Sequence, residues 1–254
     1  MDSPIIPVIV VVLVLLFYRL VHRVFMRRLA QGEGLNLRPL PGLDVLQTQI
    51  GRAVESGGQV HVALGQASLH SPSGPTSVAA INMLEQLAEA GCTNDAPPLV
   101  TVGEGTLLLA AQAKLLNAFQ SVQRPEGYKT GLIHFVAHQT DPYAYAAGVS
   151  GLLHQDKITG NFMMGQFGPE LMLMAEAAQR RDISQVIGAD DPTVMALATA
   201  VTPNNLIAEE LFAAATYLDQ EPEQIASLRI QDIVRVLIML SILVWAIIQF
   251  VTSL

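Results

Sequence analysis

Apolar and polar positions follow two rhythms along the middle of the chain. Short β-type runs end in glycine-rich or polar turns, and each turn opens into a longer stretch of helical period. The runs are Gln59–Gly65 (QVHVALG), Leu99–Val102 (LVTV), Gly131–His138 (GLIHFVAH), a strand within Lys157–Phe167, and Gln185–Gly188. The helices that follow them are expected from Pro75 or Thr76 to Ala90 and over Thr106–Val122, Pro142–Leu153, Pro169–Arg181 and Pro192–Val201. Pro203-Asn204-Asn205 then breaks the chain before a helix over Leu206–Leu218. Ahead of the first strand, Asp44–Ser56 reads as a short helix with Asp44 as its N-cap. Strand followed by helix, repeated, predicts an α/β fold: an open, mostly parallel, Rossmann-like sheet with crossover helices.

Both ends of the chain break this rhythm. Pro4–Val21 is apolar except for Arg19, about the 17–25 residues that a membrane-spanning helix needs. Asp2 precedes this run and Arg19, Arg23, Arg27 and Arg28 accompany or follow it, the reverse of a cleaved signal peptide. Val236–Leu254 is a second apolar run, preceded by Arg229 and Arg235. With positive charge on the inner side of both, the chain is expected to cross an inner cell membrane twice, with both termini outside and the domain in the cytoplasm. The divisions that follow are 1–29 for an anchor with a basic juxtamembrane helix, 30–56 for a linker and short helix, 57–222 for the α/β domain, and 223–254 for the second transmembrane helix.

Charge changes the picture in one respect. Between Ala30 and Ile230 there are 20 acidic and 9 basic residues, so the body of the protein is acidic and unsuited to a nucleic-acid partner. Only 14% of the chain is charged, against about 25% in an average soluble domain, which points to surface held against lipid or protein. Cys92 is the single cysteine, which excludes an intrachain disulfide and a cysteine zinc cluster.

Ligands of open parallel sheets bind beyond the strands' C-terminal ends. Gln66, Glu104, His138, Asp141, Gln166, Glu170, Asp190 and Asp191 gather there in sequence terms. The candidate ligand contacts are Gly103, Glu104, Gly105, Thr106, Gln166, Glu170 and Asp190. Gly103-Glu104-Gly105-Thr106 presents backbone N–H groups at a helix start, yet it lacks the third glycine of GxGxxG and the Lys of a P-loop. Read otherwise, it is a tight turn in which Glu104 favours the positive helix end. Asp190-Asp191 before Pro192 reads as a pair that coordinates a cation or acts as acid and base, or else as an ordinary helix cap. His134 and His138 would stand about 13 Å apart on a strand, at about 3.3 Å per residue, too far for one metal ion; His134 reads as a buried core histidine. Ser68, His70 and Ser71 have no nucleophile elbow, Cys92 has no basic partner in the sequence, and no cofactor or metal is implied.

VGEGT at 102–106, GQFGPE at 165–170 and GADDPT at 188–193 resemble a bacterial family of membrane-anchored proteins with a domain of unknown function, over most of residues 55–250. The resemblance implies an anchored α/β domain and carries no activity onto any residue. With no complete catalytic set, and with small residues Ala144, Ala146, Ala147, Gly148, Ser150 and Gly151 on one helix, the expected role is a self-associating organiser at the bilayer. The alternative is a sensor or enzyme for a nucleotide-like small molecule in the strand-end pocket.

Overall fold

The computed structural model describes residues 16–27, 40–137, 140–155, 157–219 and 222–253. Contacts divide the chain into two units, Met1–Arg38 with Asp219–Leu254, and Pro39–Leu218.

In the first unit, residues 16–27 are helical (α1). The remainder of the expected first span, residues 4–15, lies outside the described residues, as does the linker over 31–39. The C-terminal helix of this unit runs Pro222–Ser253. Within it, Gln224–Ile247 spans 24 residues at a mean hydropathy of 2.1, long and apolar enough to cross a membrane. It is the one such helix among the described residues, where the sequence predicted one at each end. The helix also begins well ahead of Val236, because Ile225, Ala226, Leu228 and Ile230 extend the helical pattern N-terminally.

The Pro39–Leu218 unit alternates strand and helix. Its elements are α2 (Pro41–Ser56), β1 (Gln59–Gly65), α3 (Gly74–Thr93), β2 (Leu99–Val102), α4 (Gly105–Ser121), β3 (Ile133–Phe135), α5 (Pro142–Leu153), β4 (Ile158–Gln166), α6 (Leu171–Gln179), β5 (Ser184–Ala189), α7 (Pro192–Val201), β6 (Asn205–Ile207) and α8 (Glu209–Asp219). The final helix, Pro222–Ser253, is then α9. All strand pairs are parallel, in the order β3-β2-β1-β4-β5-β6, which is that of doubly wound dinucleotide-binding sheets.

The sheet is covered on both faces, which is why β1 is buried almost throughout and its polarity does not alternate. On one face Val60, Val62, Leu64, Val100, Val102, Phe162, Met164 and Val186 pack against α2, α3, α4 and α8. On the other, Ala63, Leu99, Met163 and Ile187 pack against α5, α6 and α7. A fully buried Leu or Phe in such a layer contributes about 1.5–3 kcal/mol. Among the helices that connect successive strands, the change of face comes once, between α4 and α5, and this places a topological switch point between the adjacent β1 and β4.

Three sequence expectations change. A sixth strand, β6, pairs with β5 through Ile187↔Asn205, Gly188↔Leu206 and Ala189↔Ile207, so the helix expected from Leu206 begins at Glu209. β3 keeps only three residues, since its neighbour β2 offers a short edge, and Thr130–Leu132 forms a 3₁₀ turn. Asp44 lies inside the first turn of α2, whose N-cap is Leu40 and whose start is set by Pro41.

Candidate functional site

At the switch point β1 and β4 end in an irregular pairing. Ala63 pairs with Met163 but Gly65 with Gln166, so β4 carries one extra residue. The irregularity rests on Gly65 (φ +75°) and Gly165 (φ +142°), backbone conformations that side chains rarely adopt. A Cβ on either glycine would lie 2.3 Å from a carbonyl oxygen of the opposite strand, Gln166 for Gly65 and Leu64 for Gly165.

Beyond this point a cavity of about 530 Å³ opens, lined by Gln66 from the end of β1, Gln166–Glu170 from the end of β4, and Pro142, Asp191, Thr193 and Val194 from the starts of α5 and α7. Its volume falls within the usual range of small-molecule sites. Gln66 is 6% exposed, and its buried Oε1 meets no hydrogen-bond partner among the described residues. Glu170 is 3% exposed; its Oε1 accepts from the Gly168 N–H at 2.7 Å. Gly168 has no room for a Cβ, which would sit 2.6 Å from Glu170 Oε2. Asp191 accepts from Thr193 N (2.8 Å) and Val194 N (3.1 Å), and so caps α7. Phe167, Pro169, Pro142 and Val194 give the lining an apolar part.

Two of the seven candidate contacts, Gln166 and Glu170, are therefore brought together here. The other five lie beside the cavity. Glu104 is the N-cap of α4, accepting from Thr106 N (2.6 Å), Leu107 N (3.1 Å) and the Thr106 hydroxyl. Burial opposes its charge, but these bonds together with the Gly105 N–H outweigh it and lower the carboxyl pKa. Thr106 Oγ1 in turn accepts from Leu69 N at 3.2 Å, joining this turn to the loop after β1. Gly103 supports the cavity from behind, since a Cβ there would lie 2.5 Å from Gln66 Cγ. Asp190 is turned away from the lining and accepts from Thr76 Oγ1 at 2.5 Å, fastening β5 to α3.

Asp141 caps α5 through Ala144 N at 3.0 Å. His138 lies outside the described residues, and among the described residues no three His, Cys, Asp or Glu side chains are grouped to hold a metal ion. Burial, with a contribution from Glu89, pushes the Cys92 thiol up to about 11, so it is no nucleophile at neutral pH.

Under the site lies a polar chain that sequence patterning did not single out. His61 of β1 places Nδ1 2.7 Å from Asn161 Oδ1 of β4 and Nε2 3.0 Å from Thr101 Oγ1 of β2. The Tyr145 hydroxyl of α5 stands 3.1 Å from the same Thr101 oxygen and donates to the Thr101 carbonyl at 3.2 Å. All four side chains are fully buried. The bonding fits a neutral ring that donates from Nδ1 and accepts at Nε2. Burial takes the His61 pKa down to about 4 against the pull of Asn161, and His134 lowers it further. Burial likewise raises the Tyr145 phenol, with Glu170 adding to the effect. The deeply buried histidine is thus His61, whereas His134 is only partly buried.

The family profile described as "Domain of unknown function (DUF6754)" matches residues 5–254. No curated protein and no solved structure matches the chain.

Proposed function

The chain belongs to this family of unknown function, and on that premise we propose that it is a membrane-tethered binding module whose parallel sheet holds a small polar molecule in the β1/β4 cavity. The observation that carries the reading is Gln66: it lines the cavity together with the buried Glu170, and its buried side-chain carbonyl has no hydrogen-bond partner among the described residues. Leaving a buried acceptor unmade costs about 1–3 kcal/mol, and a ligand donor would recover that. The position beyond the strand ends, at the switch point between β1 and β4, supports the same reading. Native mass spectrometry of the full-length protein released from nanodiscs tests it. A small molecule bound stoichiometrically, and lost on Gln66→Leu, is expected; an empty protein that no small molecule stabilises would sink the reading.

The tether is supported by α9, whose exposed Val236, Leu237, Ile238, Leu240, Ile242, Leu243 and Trp245 suit a lipid environment. Together with the first apolar run and the flanking arginines, it favours two crossings of a bacterial inner membrane with the domain in the cytoplasm. Retention of the protein in membranes washed with alkaline carbonate is expected. Release would remove the tether.

Self-association at the bilayer is the second reading, and one observation favours it. Helix α5 exposes Ala144, Ala147 and Gly151 beside Tyr143, itself 60% exposed, and no atom stands within 4 Å of where a Gly151 Cβ would be. Gly148, by contrast, is used internally, its Cβ position filled by Val136. A discrete oligomer that Ala147→Arg dissociates is expected on this reading; a monomer at micromolar concentration would end it.

A further inference from the structure

Resting on that reading of the cavity, we infer that its ligand is an organic cation, a protonated amine carried on an aliphatic body, and that phosphate-bearing ligands are excluded.

The two ionisable side chains in the wall, Glu170 and Asp191, are both acidic, while Gln66, Gln166 and Thr193 add neutral groups. Glu170 is a carboxylate almost wholly removed from water, and its one assigned bond, from the Gly168 N–H, is a neutral one. A buried carboxylate is costly unless a positive partner accompanies it. No lysine or arginine supplies one at this edge. The connections leaving the C-terminal ends of the six strands, residues 66–73, 103–104, 136–141, 167–170, 190–191 and 208, contain no lysine and no arginine. The unit's lysines and arginines stand elsewhere: Lys114 on α4 is paired with Glu85, Arg124 with Asp95 and Arg180 with Glu176, Arg52 lies in α2, Lys129 and Lys157 precede β3 and β4, and Arg181 follows α6 and bonds the His154 carbonyl.

The second observation is independent of charge. Gln66 lines the cavity with an Oε1 that has no partner among the described residues, and a carbonyl oxygen asks for an N–H or O–H donor.

Anion sites at helix starts use free backbone N–H groups. At α6, whose start has no side-chain cap, the N–H groups of Leu171, Met172 and Leu173 are taken up by the carbonyls of Gly168, Pro169 and Glu170; the starts of three other helices already have carboxylates of the protein upon them. Asp191 occupies the start of α7, Asp141 that of α5 and Glu104 that of α4. A phosphate entering the cavity would meet the carboxylates Asp191 and Glu170, with no lysine or arginine in the strand-end connections to offset them. An alkylammonium would donate to Glu170 and Gln66 and lay its hydrocarbon against Phe167, Pro169 and Val194.

The test uses full-length protein in phosphatidylcholine nanodiscs and isothermal titration with butylamine, cadaverine, agmatine and spermidine, with 1,5-pentanediol and ATP alongside. Saturable binding of at least one amine is expected, with no binding of the diol or of ATP. Glu170→Gln should weaken that amine at least tenfold. Gly168→Ala should do the same, because its Cβ displaces the flexible carboxylate end and leaves the backbone in place; unchanged circular dichroism shows that both variants fold. Binding of ATP or the diol, lost in the same variants, overturns the cation assignment and leaves the binding module standing. Binding of no probe, in protein that also isolates empty, overturns both.

Discussion

Lowering the pH from 7.5 to 4 should destabilise the domain through one residue in a calculable way. His61 is fully buried and stays neutral down to about pH 4, whereas a free histidine gains its proton near 6.5. In that window the unfolded chain holds a proton that the folded chain lacks, so stability falls as pH falls. The contribution of His61 is complete above pH 6.5, drains away towards pH 4 and is then constant. At about 1.4 kcal/mol per pH unit, the window is worth about 3 kcal/mol. The cause is structural: a second proton would sit on Nε2, where the Thr101 hydroxyl already donates, on a fully buried ring whose two partners, Asn161 and Thr101, are both neutral. The assay is urea unfolding of the full-length protein in detergent, followed by far-UV circular dichroism, for wild type and His61→Gln across pH 7.5 to 4. Other acids and bases titrate in both proteins and cancel in the difference. Wild type should lead at pH 7.5, and the lead should shrink by about 3 kcal/mol by pH 4. A lead that stays constant with pH would refute the argument, since the ring would then titrate alike folded and unfolded.

Three other outcomes follow from particular contacts. Glu104→Ala should cost about 1 kcal/mol of stability, the usual worth of an N-cap, and leave ligand affinity at the β1/β4 cavity unchanged; a drop in affinity at preserved stability would return Glu104 to the site. Gly165→Ala forces a Cβ to within 2.3 Å of a carbonyl oxygen at φ +142° and should cost about 3 kcal/mol in the same urea assay. On α5, Gly148→Ala should destabilise by about 1–3 kcal/mol against Val136, whereas Gly151→Ala, with open space around it, should stabilise by about 0.5–1 kcal/mol; equal effects at the two positions would contradict the packing described.

Where an element was bounded by local chemistry, the sequence was enough. β1, β2, α5 and α7 have the expected ends because Gly65, Gly103, Asp141-Pro142 and Asp191-Pro192 set them by backbone preference and capping alone. β6 was not legible. Asn205-Leu206-Ile207 follows a breaker and leads into a helical pattern, and only its pairing with β5, distant in sequence, makes it a strand. The site was legible in outline, since an open parallel sheet directs attention to the strand ends, and Gln166 and Glu170 were both found there. Which of two adjacent aspartates lines the cavity was not, because Asp190 and Asp191 have identical side chains and differ only in the direction that the chain takes after β5. His61 was hidden for a related reason: in a strand buried on both faces, a polar residue breaks no pattern that marks it out.

The opposed glycines at the switch point carry a consequence for descent. At Gly65 and Gly165 each strand's backbone occupies the volume that the other's side chain would need. A substitution at one position cannot be relieved by a change in any neighbouring side chain, because the obstacle is a peptide carbonyl that every amino acid possesses. Each glycine is therefore held in place by the other strand's main chain, whatever side chains surround it. Lineages that lose one glycine should be those that have also remodelled the length of β4.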